Sequence, residues 1–404
     1  MNQGKSRYVK YNLYYWGLIV YLIANNIAAS YAYNIWAANG SNAVMIVKAM
    51  RYIAYVLFVL KICSKTIVKL RSIYLVLLCI GVSVLAMLGS DRSPLFYLLI
   101  VIASIQADFK KTVNIFLRIQ LVFFILYTLL GILGISGSDY VVTQMRERYF
   151  LGYGWVNRAA YCWLFICLEY LYLHKGKIKP KEIIVSQLIN AFIYYKTKTL
   201  FPMLLTAGIG GYGFYNYIKS GFSVKTRIHS KKALACAILM FSGFFIIGIV
   251  LPLRYSPDNA ILRSMNLLLN SRLSLAKTVI DKYGFGLLGH DVQWTGASTL
   301  MFGLSSTNEY FYADCDYVKL GIQYGMLFCG FVVVSYLAGI VKAYYYREPI
   351  ATFCILFIGL LCIFEPELID FTFNPFFLYS FTHISLYTTR KNYGFWKALE
   401  GMQE

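Results

Sequence analysis

Lysine and arginine alternate across the gaps between the long apolar stretches of this chain. About a dozen such stretches, each near the roughly 20 residues that a helix needs to cross a bilayer core, follow one another along the 404 residues. Taking every second gap from the N-terminus collects Lys5, Arg7 and Lys10; Lys61, Lys65, Lys69 and Arg71; Lys110, Lys111 and Arg118; and Lys175, Lys177, Lys179 and Lys181. The series continues with Lys219, Lys225, Arg227, Lys231 and Lys232; Lys342 and Arg347; and Arg390, Lys391 and Lys397. Basic residues gather in short cytoplasmic loops, so these gaps are expected inside, and both termini with them. The pattern predicts a multi-pass, all-α transmembrane bundle of an inner or plasma membrane.

Hydropathy places the spans at 12–33, 43–62, 70–89, 94–109, 114–135, 155–173, 180–195, 199–218, 233–253, 311–341, 350–365 and 371–388. No repeat of fixed period and no low-complexity linker divides the chain, so residues 1–404 read as a single membrane domain. The gap 254–310 is the long one on the outer side, and within it Leu262–Tyr283 has helical spacing of apolar residues, with Asn270 or Ser271 as an internal cap. A large outer loop with short helices of its own is the place to look for function.

Composition agrees. At 59% hydrophobic and 14% charged, with a mean hydropathy of +0.59, the chain lies far from an ordinary soluble domain. The net charge of +20 resides mainly in loops that set orientation and meet anionic headgroups, which argues against nucleic acid as a partner. The 36 tyrosines and six tryptophans exceed what interfacial belts require and suit the walls of a site for a sugar-like ligand. Most of the nine cysteines sit inside apolar runs and none forms a CxxC, so they read as small hydrophobes, with no disulfide framework or metal site.

Once the topology-setting residues are removed, a second set of charges remains on the expected outer side. Its cations include Arg146, Arg148, Arg158, Lys196, Lys198, Arg254 and Arg272; its acids include Glu309, Asp314 and Asp316. Cations held at helix ends against the positive-inside bias suit an anion, and arginine's planar fork matches phosphate oxygens. Pairing with nearby acids or snorkelling to headgroups is the structural alternative for each. Asp314 falls where the chain re-enters the membrane, and a desolvated carboxylate gains the basicity that a general base needs. His290, in GLLGHDVQW, is a second acid/base candidate, set against an ordinary surface histidine. GIGGYG (Gly208–Gly213) reads as a packing face, EPELID (Glu365–Asp370) as a solvated acidic turn, and Lys48 and Arg51 as snorkelling residues.

Four local patterns resemble the Wzy-type polysaccharide polymerases and the related O-antigen ligases. RERYFLGYGWVNRAA (Arg146–Ala160) is similar to the family's arginine, Leu-Gly-aromatic and Asn stretch, with Arg148, Gly152 and Asn157 on the matching positions. NSRLSLAKTVIDKYGFGLLG (Asn270–Gly289) places Arg272 on the family arginine. ADCDYVKLGIQYG (Ala313–Gly325) resembles the Asp-Asn-x-Tyr-Leu segment, with Asp314 and Tyr317 matching and Cys315 in place of Asn. Thr197–Thr199 stands where many members have Ser-Arg-Thr, so that Lys198 replaces an arginine.

The resemblance implies a glycosyltransferase C-like bundle in a bacterial cell membrane and metal-independent, cofactor-free transfer from undecaprenyl-diphosphate-linked oligosaccharide, building capsular, exo- or O-antigen polysaccharide. Taken with the outer charges read above, it casts Arg272, Asp314 and His290 as catalytic, and Arg146, Arg148, Asn157, Lys196, Lys198, Arg254 and Tyr317 as substrate-binding; of these Arg148, Asn157, Lys198, Arg272, Asp314 and Tyr317 fall on the matching positions. Membrane lipid, a flippase and a chain-length regulator are the implied partners. The alternatives are an O-antigen ligase, which would lean on His290, a transporter or flippase of lipid-linked oligosaccharide, and a non-catalytic scaffold.

Overall fold

In the computed structural model of the protein, residues 2–64, 80–81, 84, 93–137, 139–143, 146–221, 230–304 and 309–384 are described, with side chains from residue 12 onward. Most of the expected span 70–89, the charges Asp91 and Arg92, and the basic groups Lys65–Arg71, Lys225–Arg227 and Arg390–Lys397 lie outside the described residues.

Among the described residues the chain is almost entirely helical, with one small hairpin. Its helices in order are α1 (Asn2–Ala28), α2 (Tyr31–Ala38), α3 (Ala43–Cys63), α4 (Ser93–Ser104), α5 (Phe109–Ile132), α6 (Arg158–Leu173), α7 (Pro180–Thr197) and α8 (Leu200–Gly221). They continue with α9 (Lys231–Leu253), α10 (Ala260–Leu268), α11 (Arg272–Tyr283), α12 (Ala297–Met301), α13 (Asp316–Gln323), α14 (Met326–Tyr346) and α15 (Pro349–Leu361). The antiparallel pair β1 (Tyr140–Thr143) and β2 (Arg146–Tyr149) sits between α5 and α6. Among the described residues α3, α5, α9 and α14 are long and apolar enough to cross a membrane. On α9, Leu239, Met240, Ile246, Ile247 and Val250 are exposed, an apolar face that suits lipid.

Helices α6, α14 and α15 carry much of the core, with α1 against α3, α5 against α6 and α7 against α8. GIGGYG lies within α8, where a Cβ on Gly210 would stand 2.5 Å from Gln187 Nε2 of α7, so it is a packing face as expected.

Three expected elements differ. The span 12–33 bends at Ser30, whose hydroxyl accepts from the Tyr33 amide at 3.1 Å and starts α2. The long span 311–341 is two helices, because Gly325 takes φ +87 and a Cβ there would meet Leu287 O at 2.4 Å. Over the described part of the span 371–388 the chain forms only a 3-10 turn, Phe376–Ser380. Pro375 interrupts the helix there, and the fully buried Asn374 amide donates to Glu367 O, Leu368 O and Tyr336 Oη at 2.8, 2.9 and 2.9 Å, folding the segment back. Lys342 Nζ on α14 supplies a donor to Tyr379 O at 2.8 Å and another to Thr382 O, so this lysine, expected to mark the inner side, is a structural bracket.

Candidate functional site

The hairpin exists to aim Arg148. Residues alternate across a strand, and Gly152 lets the returning chain press on α5: at φ +78, a Cβ there would lie 2.4 Å from Tyr127 O. Arg148 Nε donates to Thr197 O at 2.8 Å, and Nη2 reaches Asn157 Oδ1 and, at 3.3 Å, Thr199 Oγ1. These acceptors sit at the C-terminal end of α7, the N-cap of α6 and the lead into α8. All are neutral, and among the described residues no carboxylate pairs with Arg148. Burial lowers its proton affinity, Tyr161 and Glu365 oppose that, and Arg272 adds to it, which marks Arg148 and Arg272 as neighbours.

Arg272 opens α11 after two left-handed residues, Asn270 and Ser271, with φ 53 and 65. Ser271 is the N-cap by position but makes no side-chain cap; Asn266 Oδ1 instead accepts from the Ser274 amide at 3.0 Å. The guanidinium grips three partners: Asp314 Oδ2 at 3.5 Å from Nε, Phe364 O at 2.7 Å from Nη1, and Glu365 through Nη2. Burial pushes the Glu365 carboxyl up to about 7 against the pull of Arg272. Asp314 is raised as well, again by burial and against Arg272 and Lys319.

A second arginine, Arg158 at the start of α6, holds the other end of the same acidic loop. Its Nη1 lies 2.9 Å from Asp370 Oδ2 and 3.9 Å from Glu367 Oε1. Burial drives Glu367 well above the usual carboxylate range, and Asp370 beside it adds to the rise. At Asp370 itself, Arg158 and Thr372 outweigh burial and hold the carboxyl low. Leu368 between them donates its amide to Asp316 Oδ2 at 2.6 Å. The solvated turn expected for EPELID is therefore corrected: Glu365 and Glu367 are 3% and 2% exposed, because Arg272 and Arg158 offset the cost of burying them.

Beside this loop opens a cavity of about 430 Å³, within the usual range of roughly 300–1,000 Å³ for small-molecule sites. Tyr21, Tyr55, Tyr97, Trp294, Tyr312 and Tyr324 provide aromatic walls; Arg51, Arg158, Lys319, Asp316 and Asp370 provide its charges. Trp294 Nε1 donates to Gln323 Oε1 at 2.9 Å, and Lys319 Nζ donates to Tyr312 Oη at 2.7 Å. Arg51, expected to snorkel, lines this cavity, whereas Lys48 is exposed.

The structure thus gathers Arg148, Asn157, Thr199, Arg272 and Asp314 from four distant segments. Other expected site residues fall elsewhere. Tyr317 is fully buried with its hydroxyl donating to Gly359 O at 2.9 Å, so it is spent on packing α13 against α15. His290 packs by Tyr283, at a ring distance of 5.8 Å, and its amide donates to Ile322 O at 2.9 Å. Tyr283 ends the helix that Arg272 begins, about 16 Å along its axis at 1.5 Å per residue, so His290 packs against the opposite end of α11. Lys196 stands over the Tyr149 ring at 4.8 Å and Lys198, left-handed at φ 52, over Tyr195 at 4.6 Å. Both flank the Arg148 hairpin. Arg146 and Arg254 are exposed.

Sequence reading passed over Glu365, Glu367, Asp370, Arg51, Lys319 and Trp294 as site residues. A usable signal existed for the acids: three carboxylates within six positions, directly after a 13-residue apolar helix, need either water or cations. No family model, curated protein or solved structure matches the chain.

Proposed function

We propose that this chain is a membrane glycosyltransferase that polymerises undecaprenyl-diphosphate-linked oligosaccharide repeat units into capsular, exo- or O-antigen polysaccharide at the outer face of the membrane. The observation that carries the reading is the meeting of Arg148, uncompensated by any described carboxylate, with Arg272 and its two acids at one set of helix ends. A buried cation without an acid partner is costly unless an anion visits it, and a diphosphate fits the fork of each arginine. In this reading about twelve spans form a glycosyltransferase C-like bundle, both termini are cytoplasmic, and 254–310 faces outward.

Arg148 and Arg272 bind the donor's diphosphate and neutralise the charge that develops as the sugar C1–O bond breaks. Of the two acids on Arg272, Asp314 is the more weakly held and the more accessible, with 20% side-chain exposure against 3% for Glu365. Phosphate oxygens replace it on the guanidinium, and the freed carboxylate takes the proton of the acceptor hydroxyl as that oxygen attacks C1. Glu365 stays on Arg272 and keeps its orientation. Lys196 and Lys198 add positive charge at the hairpin's edge. His290 packs by Tyr283 at the opposite end of α11, whereas Asp314 contacts Arg272 itself, which favours the polymerase reading over the ligase one.

Deleting the coding sequence in its host is expected to abolish long-chain surface polysaccharide while single repeat units persist, and a copy carrying Arg272→Lys should not restore the chains. Unchanged polymer in the deletion strain would refute the proposal.

A further inference from the structure

Among the described residues, every cation of the cavity beside the acidic loop has a partner except one. Arg158 is paired with Asp370 and Glu367, and Lys319 donates to Tyr312. The cavity's two acids are engaged as well, Asp370 by Arg158 and Asp316 by the Leu368 amide. Arg51 has no carboxylate partner among the described residues, and its Nε is buried without a hydrogen-bond acceptor there. It sits eight residues along α3 from Ala43, about 12 Å from that helix's start at 1.5 Å per residue, and faces Tyr21 and Tyr55.

The rest of α3 shows that this placement is a choice. Met45, Ile46, Tyr52, Ile53 and Val56 are exposed on the helix, so a lipid-facing arginine had room to point outward, yet Arg51 turns into the cavity. Its Nε is held away from water with no acceptor among the described residues, and a guanidinium so placed is stabilised by an anion. The walls around it are aromatic rings carrying hydroxyls, the surface that a sugar ring stacks on while its own hydroxyls find donors and acceptors.

We infer that this cavity receives the acceptor repeat unit and that Arg51 binds an oxyanion carried by one of its sugars, a carboxylate or a phosphate substituent. The enzyme therefore selects an acidic repeat unit. This rests on the polymerase reading above and deepens it, since the arginines proposed for the lipid diphosphate, Arg148 and Arg272, belong to other clusters. An anionic sugar fixes which end of the acceptor lies deepest in the cavity and so which hydroxyl comes to Asp314.

The test uses the full chain in its host. Composition analysis of the polymer that disappears on deletion is expected to reveal an acidic sugar, with carbodiimide reduction identifying a carboxylate and hydrofluoric acid release identifying a phosphate. Arg51→Gln should cut polymer yield at least tenfold at unchanged protein level, and Arg51→Lys should recover part of it. A neutral polymer overturns the inference while leaving the polymerase reading intact, and neutrality combined with loss on Arg51→Gln assigns Arg51 to the lipid diphosphate instead. Normal polymer from Arg51→Gln also overturns it. Should deletion leave the polysaccharide unchanged, it is the polymerase reading that fails, and the two failures are distinct.

Discussion

Arg272 holds Asp314 at 3.5 Å from Nε while its Nη2 closes on Glu365, so one guanidinium carries two acids of unequal grip. Residues on either side of a long loop are thereby tied to the end of α15, and the tie to Asp314 is the weaker.

Arg272→Lys tests that arrangement. A lysine supplies one point charge and cannot span Asp314, Glu365 and Phe364 O together. Polymer formation is expected to fall below detection on gels while membrane protein level stays near wild type. Arg272→Ala leaves two acids uncompensated and is expected to cost about 3–5 kcal/mol of stability, seen as lower yield and a lower melting midpoint in detergent. Pairing Arg272→Met with Glu365→Gln should restore yield without activity; recovered activity would reduce the arginine to a structural role.

Asp314→Asn and His290→Ala separate the two candidate bases. With Asp314 on Arg272 and His290 at the far end of α11, the first is expected to eliminate chain growth and the second to leave at least a third of it. Activity that survives Asp314→Asn but not His290→Ala would move the base to the histidine and revive the ligase reading.

Glu365 gives stability a pH dependence with a definite sign. Its carboxyl is raised to about 7 in the folded chain, so the folded state holds the proton more tightly than the unfolded one. Its stabilising contribution is full below the unfolded value near 4.5 and is lost as pH rises toward 7, by up to about 1.4 kcal/mol per pH unit for one carboxyl. Glu365→Gln should remove that slope, read as the difference in melting midpoint between the two proteins from pH 5 to pH 8. Identical pH profiles would mean that Glu365 is ionised throughout.

Topology has its own check. Single cysteines or reporter fusions at Ser264, in α10, and Ser230, the N-cap of α9, are expected to lie on opposite sides of the membrane, because α9 between them is long and apolar enough to cross it. Both on one side would dismantle the outward placement of Arg272.

The apolar helices and the segments that converge were legible in the sequence, since hydropathy and the arginine patterns need no tertiary information. Arg148 and Arg272 could be named because the Gly- and Ser-containing turns beside them leave local marks, and Asn157 through the resemblance of its segment. The role of EPELID could not be read this way: its burial depends on Arg158 and Arg272, which are far from it in the chain, and a pattern of three acids looks the same wet or dry. Tyr317 failed for the opposite reason. Its sequence position suits a ligand contact, but the close approach of Gly248, where a Cβ would lie 2.5 Å from the ring, commits it to packing. Arg51 resembled any arginine near a helix end until the direction of its side chain was known.

The acidic loop also imposes an order on assembly. Glu365, Glu367 and Asp370 emerge from the ribosome after α6 and α11, and the hydrocarbon would reject them as free anions. The loop can settle only onto a bundle that already presents Arg272 to its first acid and Arg158 to its last two. Its docking therefore depends on α6 and α11 being in place, and a chain that has misplaced either helix leaves its carboxylates without their arginines.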